Sequence, residues 1–262
     1  MTRLRFRVNF EKPGAGGKYE ALVRAASRLG FEVADGGDAD IVVVLGGDGT
    51  ILRAVHEFPG VPLLGLNIGG LGYLASVGGG DAESALEMLA EGRYVISERS
   101  LLEAEGRFSA LNDIVVTREI GGRSVRLDLE ADGRLVTHYM ADGIIFATPT
   151  GSTAYSLSAG GPVLMPSTNC VVVTPLNPHA LAVRPLVLSD AVKFKVTARS
   201  RSAGNSMKLG VYADGENVMT LDEGASIGIS KGANVARLVE LEGYDPYGVL
   251  ARKLGWSGSN VA

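Results

Sequence analysis

Cysteine is almost missing from this chain: Cys170 is the only one in 262 residues. That excludes an intrachain disulfide and fits a reducing compartment. Set in NCVVV, Cys170 reads as a buried core thiol. Long apolar runs are missing too. The longest unbroken aliphatic stretch, Ile41 to Leu45, falls far short of a membrane span. The opening MTRLRFRVNFEK alternates polar and apolar residues without the apolar block of a signal peptide, so a cytoplasmic protein is expected. Blocks of one charge are also lacking, with 25 basic against 29 acidic residues and a net charge of −4. The chain therefore shows no electrostatic footprint for nucleic acid or an anionic membrane. No repeat or low-complexity tract is visible, and His56, His138 and His179 lack metal-ligand spacing.

Glycine is in excess. The chain has 36 glycines, about twice the ordinary usage, clustered between apolar runs. The first third alternates strand and helix. LRFRVNF (Leu4 to Phe10) has period-2 alternation, and KYEALVRAASRLG follows with Leu22, Val23, Ala26 and Leu29 on one helical face. FEVA is a short strand. DIVVVLGG is another, apolar throughout as in a parallel sheet covered on both faces. A helix is expected from Thr50 to Phe58, then the strand VPLLGLNIG, then a helix capped by Asp81 and ending at Gly92. This rhythm predicts an open, mostly parallel, Rossmann-like α/β domain over residues 1–95. From about Tyr94 the segments become short, alternating and broken by glycine, which predicts an all-β antiparallel sandwich over 96–240. Asp132–Gly133, Asp142–Gly143 and Asp214–Gly215 each read as hairpin turns. The stretch 241–262 returns to helical spacing and is expected to pack back on the first domain.

Two segments carry chemistry. In VVVLGGDGTILRAV an apolar strand ends in a glycine turn that leads into a helix. Gly46, Gly47, Gly49 and Thr50 form a phosphate-sized turn where backbone N–H groups and the helix's positive end face an anion. Asp48 within it can accept a proton from a hydroxyl that attacks phosphorus, or hold Mg²⁺ directly or through water. The turn is neither a Walker loop nor a G-x-G-x-x-G fingerprint. PGAGG, flanked by Lys12 and Lys18, is a weaker phosphate candidate, otherwise a surface loop. The second segment is TPTGSTAYSLSAGGP, Thr148 to Pro162. Its hydroxyls suit sugar hydroxyls and a base edge, and Tyr155 suits stacking; the alternative is a long polar loop.

GGDGT, then ND, ADG and TPTGSTAYSLSAGGP, in this order and spacing, resemble the NAD kinase family over roughly Ile41 to Gly243. GGDGT alone is shared with diacylglycerol and sphingosine kinases and, in variants, with phosphofructokinases; the hydroxyl-rich segment is far more specific. The resemblance implies phosphoryl transfer from ATP or polyphosphate to the 2′-hydroxyl of NAD's adenosine ribose, giving NADP. It implies a divalent ion, Mg²⁺ or Mn²⁺, and a homodimer or homotetramer. It makes Asp48 the general base, Gly49 an adjoining backbone contact, and Arg53 a contact one helical turn on. It assigns NAD binding to Asn112, Asp113, Asp142, Thr150, Thr153, Ala154, Tyr155, Ser156, Leu157 and Ser158, and less strongly to Asn177 and Asp214. Many members carry Glu where this chain has Asp113. The alternatives are a lipid or sphingoid kinase of the same superfamily and a non-catalytic dinucleotide sensor.

Overall fold

The computed structural model describes residues 1–68, 72–75, 82–118, 124–199 and 208–256. Two compact units divide the chain: Met1–Glu98 with Ala236–Ala262, and Arg99–Val235. No helix among the described residues is long and apolar enough to cross a membrane.

The first unit opens with β1 (Arg3–Val8), α1 (Ala15–Arg28), β2 (Glu32–Val33), β3 (Ile41–Gly46), α2 (Asp48–Glu57), β4 (Leu63–Asn67) and α3 (Ala82–Ala90). β2, β1, β3 and β4 lie side by side and parallel. Every residue of β3 is buried, as its unbroken apolar run requires. Val43 and Leu45 pack with Leu22, Ala26, Leu86 and Leu89 from α1 and α3.

Two helices start earlier than the residue pattern predicts. α1 takes in Ala15 and two of the three glycines of PGAGG, so most of that expected loop is helix. Burial of Ala15, Leu22, Ala25 and Ala26 outweighs the poor helix propensity of glycine. α2 begins at Asp48, not Thr50, with Gly47 as its N-cap. An acidic first-turn residue suits the positive end of the helix. The cap expected at Asp81 lies outside the described residues.

The second unit is a sandwich built from the part of β5 (Tyr94–Ala104) that follows Glu98, β6 (Phe108–Ala110), β7 (Asp113–Arg118), β8 (Val125–Ala131), β9 (Arg134–Ala141) and β10 (Gly143–Ala147). A 3-10 turn (Gly151–Thr153) and α4 (Tyr155–Ser158) follow. Then come β11 (Cys170–Leu176), β12 (Leu186–Ser189), β13 (Phe194–Arg199), β14 (Lys208–Ala213), β15 (Glu216–Asp222) and β16 (Ser226–Leu241), whose residues from Ala236 on belong to the first unit. One layer has the antiparallel order β16–β13–β8–β9, and the other the antiparallel order β12–β11–β10–β7–β14–β15. Leu127, Leu129 and Val196 of the first layer pack on Ile114, Phe146 and Val173 of the second. The last helix, α5 (Pro246–Leu254), belongs to the first unit, where Lys253 Nζ lies 5.5 Å from the centroid of the Tyr73 ring.

Asp132–Gly133 and Asp214–Gly215 are two-residue hairpin turns with positive φ at both positions, joining β8 to β9 and β14 to β15. Asp142–Gly143 is not a hairpin. There the chain leaves β9, paired in one layer, and enters β10, paired in the other, with no positive φ. Cys170, expected in the core, is only half-buried at the start of β11, with its thiol 3.4 Å from Thr168 Oγ1.

Candidate functional site

In the first unit, the carboxyl end of β3 delivers Gly46 and Gly47, and α2 starts immediately at Asp48. The turn closes when Thr50 N–H donates to the Gly47 carbonyl at 2.8 Å. Gly47 N–H in turn meets the buried Thr50 hydroxyl at 3.4 Å. Thr50 is therefore a turn-holding residue, while Gly49 and Arg53 are exposed along α2.

Asp48 is half-buried and held from outside its own helix. Tyr73 N–H donates to Oδ2 at 2.9 Å and Leu74 N–H to Oδ1 at 3.1 Å. The strand-to-helix turn fixes one end of the side chain and the 72–75 segment fixes the other. Gly72 makes this possible, because a Cβ there would collide with Oδ1 of Asp48. The Tyr73 phenol is pushed up by burial first and then by the negative charge of Asp48. Lys12 reaches the same turn: its Nζ lies 3.1 Å from where a Cβ on Gly47 would sit. A fixed carboxylate, a glycine turn and an ammonium are the parts needed to take a proton and face a phosphate.

In the second unit, Asn112, Asp113, Ala154, Tyr155 and Asp214 line one cavity of about 380 Å³. Val115, Thr117, Tyr212 and Gly215 complete the wall. Asp113, Val115 and Thr117 lie on one face of β7 by strand alternation, and Tyr212 is the cross-strand partner of Val115. Tyr155 is 49% exposed, so its ring is open for stacking. Asp214 orders the rim. Its carboxylate accepts N–H groups from Leu111 at 2.8 Å, Asn112 at 2.7 Å and Asp113 at 3.3 Å. Asp113 is buried, and burial first, then the charge of Asp214, raises its carboxyl from 3.8 to about 7.

The hydroxyl-rich segment carries a 3-10 turn and a short helix, and several of its hydroxyls turn inward. Thr148 Oγ1 donates to the Leu111 carbonyl at 2.5 Å and accepts Gly151 N–H at 3.0 Å. Ser152 donates to the Pro149 carbonyl at 2.7 Å and accepts Leu164 N–H at 2.9 Å. Ser156 and Thr174 share a buried hydrogen bond of 2.9 Å, and Thr153 donates to the Thr150 carbonyl at 3.2 Å. Thr150 is buried, Leu157 is half-buried, and Ser158 is exposed. A Cβ on Gly151 would collide with the Asn112 backbone, so that glycine lets the segment press on the residue it must position. These bonds make the segment a brace behind Asn112 and Tyr155.

Asp142 and Asn177 sit together but do not line this cavity. Asn177 Nδ2 donates to one oxygen of Asp142 at 3.0 Å, and Arg118 Nε to the other at 2.8 Å. Arg118, then Asn177, hold the Asp142 carboxyl below its usual range, with a small contribution from His179.

The two halves of the chain match family models described as the ATP-NAD kinase N-terminal domain, over residues 11–94, and C-terminal domain, over residues 111–241. The chain belongs to the NAD kinase family. It is 39% identical to the NAD kinase of Syntrophotalea carbinolica over 230 residues, covering 84% of this chain and 79% of that protein. It is 41% identical to the NAD kinase of Symbiobacterium thermophilum over 228 residues, covering 83% and 79%. Among solved structures, an Archaeoglobus fulgidus NAD kinase in complex with ATP superposes with a TM-score of 0.77 at 26% identity, covering 97% of this chain and 96% of that one. A yeast NADH kinase complexed with NADH shares the fold, with a TM-score of 0.86 at 23% identity over 99% and 89%. Membership in the NAD kinase family sets aside the lipid-kinase alternative.

Val115, Thr117 and Tyr212 escape sequence reasoning because strand residues facing a cavity look like strand residues facing a core. Gly72, Tyr73 and Leu74 contribute backbone, which carries no side-chain signature. Arg118 could have been found from its pairing across β7 and β10 once Asp142 was a candidate.

Proposed function

We propose that this chain transfers the terminal phosphoryl group of ATP to the 2′-hydroxyl of the adenosine ribose of NAD, giving NADP. The observation that carries the reading is the Asp48 carboxylate, held by two backbone N–H groups at the glycine turn of a NAD kinase family member. Asp48 takes the proton as the ribose oxygen attacks phosphorus, and the fixed side chain keeps the acceptor in one orientation. Gly46, Gly47 and Gly49 let backbone approach the phosphates, and Lys12 adds positive charge beside Gly47. Arg53 extends the positive surface one turn along α2.

The second-unit cavity takes the adenosine portion, with Asn112, Asp113 and Asp214 meeting polar groups and Tyr155 stacking on a planar one. Thr150, Thr153, Ala154, Ser156, Leu157 and Ser158 serve this site by shaping the brace; Asp142 and Asn177 form a polar pair for the rest of the dinucleotide. Mg²⁺ or Mn²⁺ is part of the proposal. Among the described residues no group of three or more His, Cys, Asp or Glu could hold a metal. Mg²⁺ usually takes few carboxylates and is held largely by substrate phosphates and water, which would leave Asp48 as the proton acceptor. The ion's contribution is charge neutralisation on the transferring phosphates. Use of polyphosphate as donor, a cytoplasmic setting and assembly into dimers or tetramers complete the reading.

The test is to incubate purified protein with NAD, Mg²⁺ and either ATP or polyphosphate, and to assay NADP. Asp48→Asn keeps the shape and removes the base, so turnover falls by about 10²–10⁴-fold. Turnover within a few-fold of the parent protein would remove Asp48 from the chemistry.

A further inference from the structure

Asp113 is only 5% exposed, and among the described residues no hydrogen bond or ion pair engages its carboxyl oxygens, although its residue lines the cavity. Its backbone lies in β7, opposite Ala147 of β10 and one residue from the Ile114–Ala213 pairing with β14. The titratable groups that share the cavity with it are Asp214 from the β14–β15 turn, Tyr212 from β14 and Tyr155 from α4. β10 offers no charged side chain there, and among the described residues no Lys, Arg or His lines the wall. Asp113 thus shares its cavity with a second carboxyl group. Three N–H donors compensate a negative charge on Asp214, and Asp113 has no such donors.

We propose that Asp113 works in this cavity as a carboxylic acid, donating its O–H to an acceptor atom of the bound dinucleotide. This rests on reading the cavity as part of the dinucleotide site. An ionised carboxylate can only accept hydrogen bonds, whereas the acid offers one donor and one acceptor to the same ligand. The acid form also avoids burying a second negative charge beside Asp214. Burial and that neighbouring charge, which bring the Asp113 carboxyl to about 7, place the proton's loss within the physiological range. Substrate affinity is then sensitive to pH where most carboxyl sites are not. If only the acid form binds, apparent affinity for NAD falls by about tenfold between pH 6 and pH 8.

Calorimetric titration with NAD alone, at intervals from about pH 6 to pH 8.5, tests this in the parent protein and in Asp113→Asn. The parent dissociation constant should rise about tenfold between pH 6 and pH 8 and about thirtyfold by pH 8.5, and that of the variant should stay flat because a carboxamide donates at every pH. A flat parent profile, or one that tightens as pH rises, overturns the proposal. Carbon NMR of the Asp113 carboxyl in the parent protein, assigned through the backbone, gives a readout even if the variant does not fold. A midpoint near 7 supports the proposal, and one below about 5 overturns it. Tyr155→Ala separates the two layers of the argument. NAD affinity unchanged by Tyr155→Ala removes the cavity reading and the proposal with it. A pH-flat affinity that Tyr155→Ala still weakens removes only the role of the proton.

Discussion

Each of the two units holds an aspartate at a candidate site, and they do so by opposite means. Asp48 is half-buried, and two backbone N–H groups from a short turn hold its oxygens. Asp113 is buried on a strand, has no such donors among the described residues, and shares its cavity with a second carboxylate. One side chain type therefore yields two tools. The first is a carboxylate positioned by two amides, proposed above as the proton acceptor, and the second is a carboxyl that keeps its proton to about pH 7. Environment separates the roles of paired acids in this way in many active sites.

The sharpest way to break the contrast is to disturb only the hold on Asp48. Gly72→Ala places a Cβ against Oδ1 of Asp48 and pushes the carboxylate off its amides. Turnover should fall by about 10²-fold, the usual scale for displacing a catalytic group by an ångström. NAD affinity measured by calorimetry should change little, since the second-unit cavity is untouched. A comparable loss in affinity would show that the two aspartates are not independent.

A smaller effect comes from the brace. Ser156→Ala leaves the buried Thr174 hydroxyl without its 2.9 Å partner and costs about 1–3 kcal/mol of stability in denaturant unfolding. The Michaelis constant for NAD should move by less than the stability change implies. If it instead rose with stability unchanged, Ser156 would be a direct ligand contact.

The smallest effect concerns Asp113 without substrate. Its folded carboxyl holds a proton to about pH 7, whereas an unfolded one loses it near 3.8. Its contribution to stability is therefore full below pH 3.8 and is lost as pH rises through 7. Asp113→Asn should raise the melting temperature by a few degrees at about pH 8 and leave it nearly unchanged at about pH 4. An equal change at both values would mean that ionisation is not the cause.

Much of the fold is legible from residues alone. The run Ile41 to Leu45 announces a strand buried on both faces, and β3 is one. Asp132–Gly133 and Asp214–Gly215 announce hairpins for a local reason, the need for positive φ at both positions. Asp142–Gly143 carries the same letters without that need, because the layer change between β9 and β10 is a tertiary event. The start of α1 is obscured by glycines whose cost is offset by burial of distant residues. At the site, side-chain chemistry is legible and direction is not. Composition marks Thr148 to Pro162 as rich in hydroxyls, yet only coordinates show that most of those bonds run inward. Asp214 shows the reverse: a turn signal conceals a carboxylate that three amides hold at the rim of a cavity.

The inward hydrogen bonds of that segment also bear on the speed of recognition. A loop that ordered itself around the dinucleotide would lose about 0.5–1.5 kcal/mol of affinity for each side chain it immobilised. Here Thr148, Ser152 and Ser156 are already fixed by partners within the protein. Their ordering entropy is lost during folding, once, and not at each encounter. On the proposed reading the dinucleotide meets a template, and its arrival need not wait for a loop to settle.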